Sequence, residues 1–300
     1  MSPANLKIDR REHAVKGGAL SAVHFGPTQE PIKLIMLHAN GFNARSYRVI
    51  LENLPVHSVS LDLRGHGFST LPYNAEKLRT FYQFRDDVLD FIDRHVDGDV
   101  VIAGHSLGAS VGALCAPALK GKLKGFVGFD SPIMPFWMRP FFHIPGWVEM
   151  MKKHLAIAAK AGRRRSEFDS IKQAYERYHK RGIFKKFSDE VLMDYVLGGL
   201  RQDGQGWCLA CDPKWEQAIY PAHGHNLFKA ARSLPKNNTQ ILFATIQAPN
   251  TFLSRERMKA IVGKKNVQRQ SGFDHMFPLN QPDFAEAALR QAIKAARLGV

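Results

Sequence analysis

The stretch VVIAGHSLGAS at residues 100–110 carries the first side chains that could do chemistry. The motif Gly104-His105-Ser106-Leu107-Gly108 follows an apolar run and precedes small residues typical of a closely packed helix. A sharp strand-to-helix turn strains its central residue, so the positions two before and two after it must lack bulk. We predict that Ser106 is a nucleophile and that the helix N-terminus behind it stabilises negative charge. The alternative is an ordinary loop with a helix-capping serine.

Two further stretches accompany this motif, HANGF at residues 38–42 and LDLRGHGFS at residues 61–69. In this order the three stretches resemble the α/β-hydrolase fold family, and the likeness runs through almost the whole chain. In the second stretch the resemblance implies a structural role for Asp62 and Arg64. His66 is interpreted as a packing residue of the same loop.

The resemblance also implies an oxyanion hole made of backbone N–H groups. By analogy, the N–H of Asn40 and the N–H of Leu107 would hold the developing oxyanion, and each such donor contributes about 100- to 1000-fold in rate. Ala39 stands where the family usually has Gly. Ala39 and Gly41 therefore leave open a loop shifted by one or two residues.

The general base that the family pattern implies is a histidine near the C-terminus, and His275 in FDHMFP fits it. A serine hydroxyl is a poor nucleophile at neutral pH, so a base must take its proton and an acid must fix the tautomer of that base.

The acid that would orient His275 is not where most of the family has it, after the strand that follows the cap, because residues 241–252 contain no carboxylate. Some relatives carry the acid at the end of the preceding strand, where this chain has Asp130 in FDSP. We predict Asp130 as the acid. Glu256 is the fallback, and a Ser-His dyad supported by Asn250 is a third option.

Short apolar runs alternate with segments of helical periodicity, which predicts an α/β fold with a mostly parallel central sheet flanked by helices. Residues 10–25 alternate apolar with polar side chains and predict antiparallel strands at one sheet edge. The predicted strands are residues 34–37, 58–61, 100–103, 126–129 and 240–246. The predicted helices include residues 44–54, 81–96 and 283–296.

Between the fourth and fifth of these strands the strand pattern stops. We predict an inserted helical cap at residues 131–239 and an α/β-hydrolase core at residues 1–130 and 240–300. The cap begins with an aromatic-rich stretch at residues 132–143. Such a lid would line a pocket for an acyl chain or an aromatic ring. Burial of the same side chains against the core is the alternative.

The net charge is +15, and twelve Lys or Arg residues against three acids lie between residues 152 and 186. Such a cluster would concentrate anionic ligands, acidic membrane surface or nucleic acid. The segment lacks the regular aromatic interleaving of a base-stacking platform, so we favour a solvated helical surface and expect no nucleic-acid partner. An anionic portion of the substrate remains open.

No cofactor or metal is expected. Cys208 and Cys211 form a lone C-x-x-C, and His223 and His225 are two apart, but neither pair has further ligands at suitable spacing. No window is long and apolar enough for a transmembrane segment, and the N-terminus has no apolar signal-peptide core, so we expect a cytoplasmic protein.

Together these features predict a serine hydrolase that cleaves an ester or thioester of an apolar acyl group through an acyl-enzyme. A rival from another class is a non-catalytic binding protein of the same fold that uses the basic cap for an anionic partner. Acyl transfer and carbon-carbon bond hydrolysis would use the same residues. Oligomeric state is not predicted.

Overall fold

The computed structural model describes residues 8–246 and 251–298, and its main sheet has eight strands. The main-sheet strands are β1 (Asp9–Val15), β2 (Gly18–Phe25), β3 (Leu34–Leu37), β4 (Ser58–Leu61), β5 (Val100–His105), β6 (Leu123–Phe129), β10 (Thr239–Ile246) and β11 (Val267–Asp274). A separate sheet contains β7 (Glu167–Phe168), β8 (Leu200–Asp203) and β9 (Gly206–Leu209).

The main sheet has the order β1-β2-β4-β3-β5-β6-β10-β11. The pairs β1–β2 and β2–β4 are antiparallel, and the pairs from β4 to β11 are parallel. The prediction of a mostly parallel sheet with antiparallel strands at one edge is therefore confirmed. Because parallel strands end at the same sheet edge, the residues that follow β3, β5, β6 and β11 meet there.

Helices cover both faces of the main sheet and bury a hydrophobic core on each. On one face lie α2, α3, α9 and α10, and on the other lie α1 and α12. The helices are α1 (Arg48–Leu51), α2 (Tyr82–His95), α3 (Leu107–Cys115), α4 (Trp147–His154), α5 (Ala156–Ala161), α6 (Ile171–Tyr178), α7 (Asp189–Gly199), α8 (Pro213–Ile219), α9 (Leu227–Ala231), α10 (Phe252–Val262), α11 (Phe277–Asn280) and α12 (Pro282–Ala295). Short 3₁₀ helices are Ala44–Tyr47, Phe136–His143, Gly182–Phe184 and Lys264–Asn266. Within the described residues, no helix combines the length and the apolar character that a bilayer crossing requires.

The helix predicted at residues 44–54 is not continuous. It consists of the 3₁₀ turn Ala44–Tyr47 followed by the single turn of α1. Asn43 caps the 3₁₀ turn by accepting a hydrogen bond from the N–H of Ser46. The helices predicted at residues 81–96 and 283–296 form with ends that differ by one residue.

Residues 131–239, here called the 131–239 segment, connect β6 to β10 and carry most of the shorter helices. Most of its elements are helices, and β7, β8 and β9 form a small antiparallel sheet that the sequence analysis did not predict. Gly204 has φ +57° between β8 and β9, a conformation that favours glycine and allows the tight turn. These strands have two to four residues, too few to show a period-two pattern.

The 131–239 segment contacts the sheet-bearing part of the chain through buried ion pairs. The Asp194 carboxylate accepts hydrogen bonds from Arg45 Nε at 2.8 Å and from Arg48 Nε at 2.7 Å. The side chains of Arg48 and Asp194 are 4% and 2% exposed. Because both charges are buried, removal of either partner would leave the other without a counter-charge in a poorly hydrated site, which is strongly destabilising.

Candidate active site

Ser106 lies at the turn between β5 and α3, in a conformation rarely adopted by residues with a Cβ atom. Its φ is +53° and its ψ is −113°. A Cβ at Gly104 would overlap the backbone of Gly108, and a Cβ at Gly108 would overlap the carbonyl oxygen of Leu37. The two glycines therefore let α3 approach β3 and β5 closely, and the turn leaves Ser106 partly exposed.

His275 immediately follows β11 and lies between Ser106 and Asp130. Its Nε2 is 3.1 Å from Ser106 Oγ, and its Nδ1 is 2.6 Å from Asp130 Oδ2. Asp130 is fully buried, and its Oδ1 accepts a hydrogen bond from the N–H of Ala244 at 3.1 Å. The carboxylate is thus held from two sides.

This geometry determines which nitrogen of His275 can act as a base. When the Asp130 carboxylate accepts the Nδ1–H, the lone pair on Nε2 points to the serine hydroxyl. A neutral imidazole in this tautomer can take a proton from Ser106, and the buried carboxylate stabilises the imidazolium that forms.

The alternative acids have different surroundings. The Glu256 carboxylate pairs with Lys259 Nζ at 2.7 Å on α10 and is 43% exposed. Asn250, which would support a dyad, lies outside the described residues. Among the predicted acids, the structure brings Asp130 to His275.

The loop after β3 has a specific pattern of occupied and unoccupied N–H groups. The N–H of Ala39 donates to Tyr47 Oη at 3.1 Å, and that of Gly41 donates to His66 Nε2 at 3.1 Å. Over the described residues, the N–H groups of Asn40 and Leu107 meet no acceptor. Two donors therefore remain available near the turn that carries Ser106.

His105, predicted only as part of the turn, connects this loop to His275. Tyr47 donates its O–H to His105 Nδ1 at 2.8 Å, and the His105 Nε2–H donates to the carbonyl of His275 at 2.9 Å. Burial lowers the pKa of His105 well below its ordinary value and keeps the ring neutral. Sequence reasoning missed Tyr47, because nothing local to residues 44–47 signals a partner 58 residues away.

Comparison with protein families places the chain in a known group. The model of the alpha/beta hydrolase family matches residues 34–287. The chain belongs to the α/β hydrolase family. The matched residues include Ser106, Asp130 and His275, so this part of the chain holds the whole side-chain arrangement described above.

One curated relative of this α/β hydrolase is protein phosphatase methylesterase 1 of Schizosaccharomyces pombe. The two are 29% identical over 114 residues, which span 34% of this chain and 33% of the relative. The chain thus matches about a third of the length of that protein.

Solved structures of other proteins share the fold over nearly the full length. E-2-(acetamidomethylene)succinate hydrolase has a TM-score of 0.74 at 16% identity, with 96% of this chain and 100% of that chain covered. An esterase of M. tuberculosis has a TM-score of 0.71 at 16% identity, covering 97% and 93%. The thioesterase domain from the curacin biosynthetic pathway has a TM-score of 0.70 at 15% identity, covering 94% and 99%.

In this member of the α/β hydrolase family, the stretch at residues 61–69 supports the loop at residues 38–42. Asp62 accepts hydrogen bonds from the N–H groups of Ala44 at 2.7 Å and Phe68 at 3.0 Å. Arg64 forms an ion pair with Asp87 at 2.5 Å. These contacts agree with the structural role that the family resemblance implies.

Glu216 on α8 contacts the loop at residues 38–42 from the 131–239 segment and was missed by sequence reasoning. Asn40 Nδ2 donates to the carbonyl of Glu216 at 2.9 Å. A Cβ at Gly41, whose φ is +74°, would lie 2.7 Å from the Glu216 carboxyl carbon. The neighbouring Trp215 donates its Nε1–H to the carbonyl of Arg64 at 3.0 Å. Helix α8 therefore covers both loops.

The basic cluster at residues 152–186 is only partly a solvated surface. Arg164 forms an ion pair with Glu216 at 2.5 Å and donates to Tyr195 Oη at 2.5 Å. Lys152 is 8% exposed and pairs with Glu149 at 2.7 Å. The preference for a solvated helical surface is therefore wrong for these two residues. Arg164 connects two parts of the 131–239 segment, and Lys152 Nζ donates to the carbonyl of Ala75 outside it.

The lone cysteine and histidine pairs do not form metal sites in the part of the chain that the structure describes. Cys208 and Cys211 carry free thiols, and burial raises the pKa of the Cys211 thiol well above its ordinary value. His223 and His225 are both buried, and burial lowers the pKa of each ring. Both rings are therefore neutral at physiological pH.

Proposed function

We propose that the protein is a serine hydrolase that cleaves a carboxylic ester or thioester of an apolar acyl group. The observation that carries the proposal is the chain from Ser106 Oγ through His275 to the buried Asp130, with contacts of 3.1 and 2.6 Å. The strained backbone of Ser106 supports it, because such a conformation persists where a function requires it.

In the proposed mechanism, His275 Nε2 takes the proton of Ser106 as Oγ attacks the carbonyl carbon. The tetrahedral intermediate collapses to an acyl-enzyme, and His275 gives the proton to the leaving alcohol or thiol. A water molecule then loses a proton to His275 and attacks the acyl carbon. The acid leaves, and the proton returns to Ser106.

The N–H groups of Asn40 and Leu107 are proposed to hold the oxyanion. Their support is the hydrogen-bond pattern of the loop, since the N–H groups of Ala39 and Gly41 are already occupied. Asn40 is further fixed by the hydrogen bond from its side chain to Glu216. Preorganised donors of this kind stabilise developing charge without reorganisation.

We further propose that the 131–239 segment acts as a cap over a core formed by residues 1–130 and 240–300. The contact of α8 with the loop at residues 38–42 supports this division. Aromatic residues at the start of the segment, among them the buried Phe142 and the exposed Phe136 and Trp137, support an apolar substrate. The name methylesterase, borne by the curated relative, supports an ester as the substrate class.

The test is the intact mass of the protein after exposure to a small fluorophosphonate. We expect one adduct, mapped to Ser106, that is absent in Ser106→Ala and in His275→Ala. Hydrolysis of 4-nitrophenyl butyrate should be lost in the same two variants. Full activity of Ser106→Ala would rule out this mechanism, and a folded wild-type protein with no adduct would favour the binding-protein alternative.

A further inference from the structure

A pocket of about 240 Å³ lies beside the segment that leaves β6. Pro132, which lines it, follows Asp130 by two residues, so their Cα atoms are at most about 7.6 Å apart. The pocket thus begins near Asp130, although neither Ser106 nor His275 is part of its lining. Its apolar lining consists of Pro132, Met134, Pro135, Phe136, Leu227 and Phe228.

Two guanidinium groups from distant parts of the chain line the same pocket. Arg139 belongs to the 3₁₀ helix Phe136–His143, and Arg257 belongs to α10. Neither forms an ion pair with a carboxylate of the described residues, and no Asp or Glu lines the pocket. Two positive charges therefore remain without a counter-charge at an apolar surface.

Aromatic rings hold one of these guanidinium groups in place. The Arg257 Cζ atom lies 4.1 Å from the centroid of the Phe136 ring and 5.0 Å from that of Phe228. Such contacts stabilise the cation through the ring faces and leave the N–H groups at its edge able to donate. An oxyanion is the group that these donors bind best.

The remaining polar residues of the pocket lining carry no charge. His223 and His225 are neutral, because burial lowers the pKa of His223 to about 4 and that of His225 well below its ordinary value. The Asn226 side chain accepts a hydrogen bond from the N–H of Lys229. The two arginines are thus the charged groups that a ligand meets.

We propose that this pocket binds the carboxylate of an amphiphilic acid or ester whose apolar part contacts Met134 and Phe136. The substrate is accordingly an ester with a carboxylate on its acyl part, a statement that rests on the serine-hydrolase function proposed above. The binding site itself does not depend on that function.

Equilibrium binding tests the site without turnover. Isothermal titration of the Ser106→Ala protein compares 3-phenylpropanoate with its neutral isostere 3-phenylpropanamide. We expect the acid to bind about tenfold more tightly than the amide, and we expect the added substitution Arg257→Gln or Arg139→Gln to abolish most of this difference. The control is Arg232→Gln, which removes the same charge from an exposed arginine that follows α9 and does not line the pocket.

A kinetic comparison tests the substrate class. The acyl groups of 4-nitrophenyl succinate and 4-nitrophenyl butyrate differ by a carboxylate in place of a terminal methyl. We expect Arg257→Gln to lower kcat/KM for the succinate ester about tenfold and to change that for the butyrate ester by less than about twofold. Arg232→Gln should leave both values unchanged.

The outcomes separate this proposal from the proposed function. Equal binding of acid and amide, or an equal loss in Arg232→Gln and Arg257→Gln, would overturn the carboxylate site. Selective binding of the acid by a protein that hydrolyses neither ester would support the site and remove the hydrolase function. Hydrolysis of both esters with no effect of either pocket arginine would support the hydrolase function and overturn the carboxylate site.

Discussion

Asp130 is proposed to fix the tautomer of His275 through the contact between its Oδ2 and Nδ1. An amide at position 130 can donate an N–H to His275 Nδ1, which would favour the tautomer whose Nε2 carries a proton and cannot accept one from Ser106. We expect Asp130→Asn to lower the rate of fluorophosphonate labelling about 10,000-fold while the protein stays folded. Stopped-flow or timed mass spectrometry gives this rate.

Glu256→Gln is the matched control for this prediction. It makes the same carboxylate-to-amide change on a residue that is paired with Lys259. Its labelling rate should stay within about twofold of the wild type, because an exposed ion pair on α10 contributes little. If Glu256→Gln greatly lowered the labelling rate and Asp130→Asn left it unchanged, Glu256 and not Asp130 would be the acid.

Tyr47 contacts the loop at residues 38–42 and His105 through one hydroxyl group, so we propose that it positions both. Tyr47→Phe leaves the Ala39 N–H and His105 Nδ1 buried without a partner. We expect the free energy of unfolding to fall by about 2 kcal/mol. We also expect kcat for 4-nitrophenyl butyrate to fall about tenfold, less than when an oxyanion donor is removed outright.

Tyr73→Phe provides the comparison for Tyr47→Phe, because it removes the hydroxyl of a tyrosine that is 42% exposed. Urea unfolding and kcat should both match the wild type. If Tyr47→Phe lowered stability and left kcat unchanged, Tyr47 would have a structural role only.

Single functional residues could be predicted from the sequence where a short motif contains them. Ser106 and His275 lie in short motifs, and their relation to Asp130 follows from chain order in the family. Tyr47 and Glu216 act through contacts with residues far away in sequence, at separations of 58 and 176 positions. No local pattern encodes such contacts.

Among the elements, the packing of α3 against β3 and β5 determines the position of Ser106, the proposed nucleophile. Gly108→Ala would place a methyl group onto the carbonyl oxygen of Leu37, so α3 must move away from the sheet. We expect the free energy of unfolding to fall by about 3 kcal/mol. The labelling of Ser106 should slow as well, because the Leu107 N–H moves with the helix. Urea unfolding and labelling rates measure the two effects.

Gly121→Ala separates the steric clash from the ordinary cost of replacing a glycine. Gly121 has φ +87°, and a Cβ there would meet nothing within 4 Å. The expected loss is about 1 kcal/mol from backbone strain, with unchanged labelling. Equal effects of the two substitutions would contradict the close approach of α3 to β3.

The accuracy of the element predictions also has a physical basis. The strands at residues 34–37 and 58–61 are buried on both faces. Each therefore appears in the sequence as a short, mainly apolar run with clear ends. The helix expected at residues 44–54 has the right burial pattern, but the structure divides it at Tyr47, whose hydroxyl is held by tertiary contacts. Strands β7 to β9 depend on one another for their hydrogen bonds and are too short to be recognised singly.

Across the whole molecule, several histidine rings of the described residues are neutral because they are buried or half-buried. Burial lowers the pKa values of seven rings, to about 3 for His24 and His66, to about 4 for His13, His38 and His223, and well below the ordinary value for His105 and His225. In the unfolded chain each ring has a pKa near 6.5. Below that pH the unfolded state binds more protons than the native state, so stability is complete above pH 6.5 and is lost as the pH falls toward 4.

We therefore expect the free energy of unfolding to decrease by about 1 kcal/mol per ring between pH 7.5 and pH 5.5, or about 7 kcal/mol for the seven together. Urea unfolding at several pH values, followed by the fluorescence of the buried Trp215, measures this slope. His66→Gln removes one titrating ring and should reduce the decrease by about 1 kcal/mol, whatever its effect at pH 7.5. A free energy of unfolding that is constant across this range would mean that the native and unfolded states bind the same number of protons, and it would contradict the lowered pKa values of these rings.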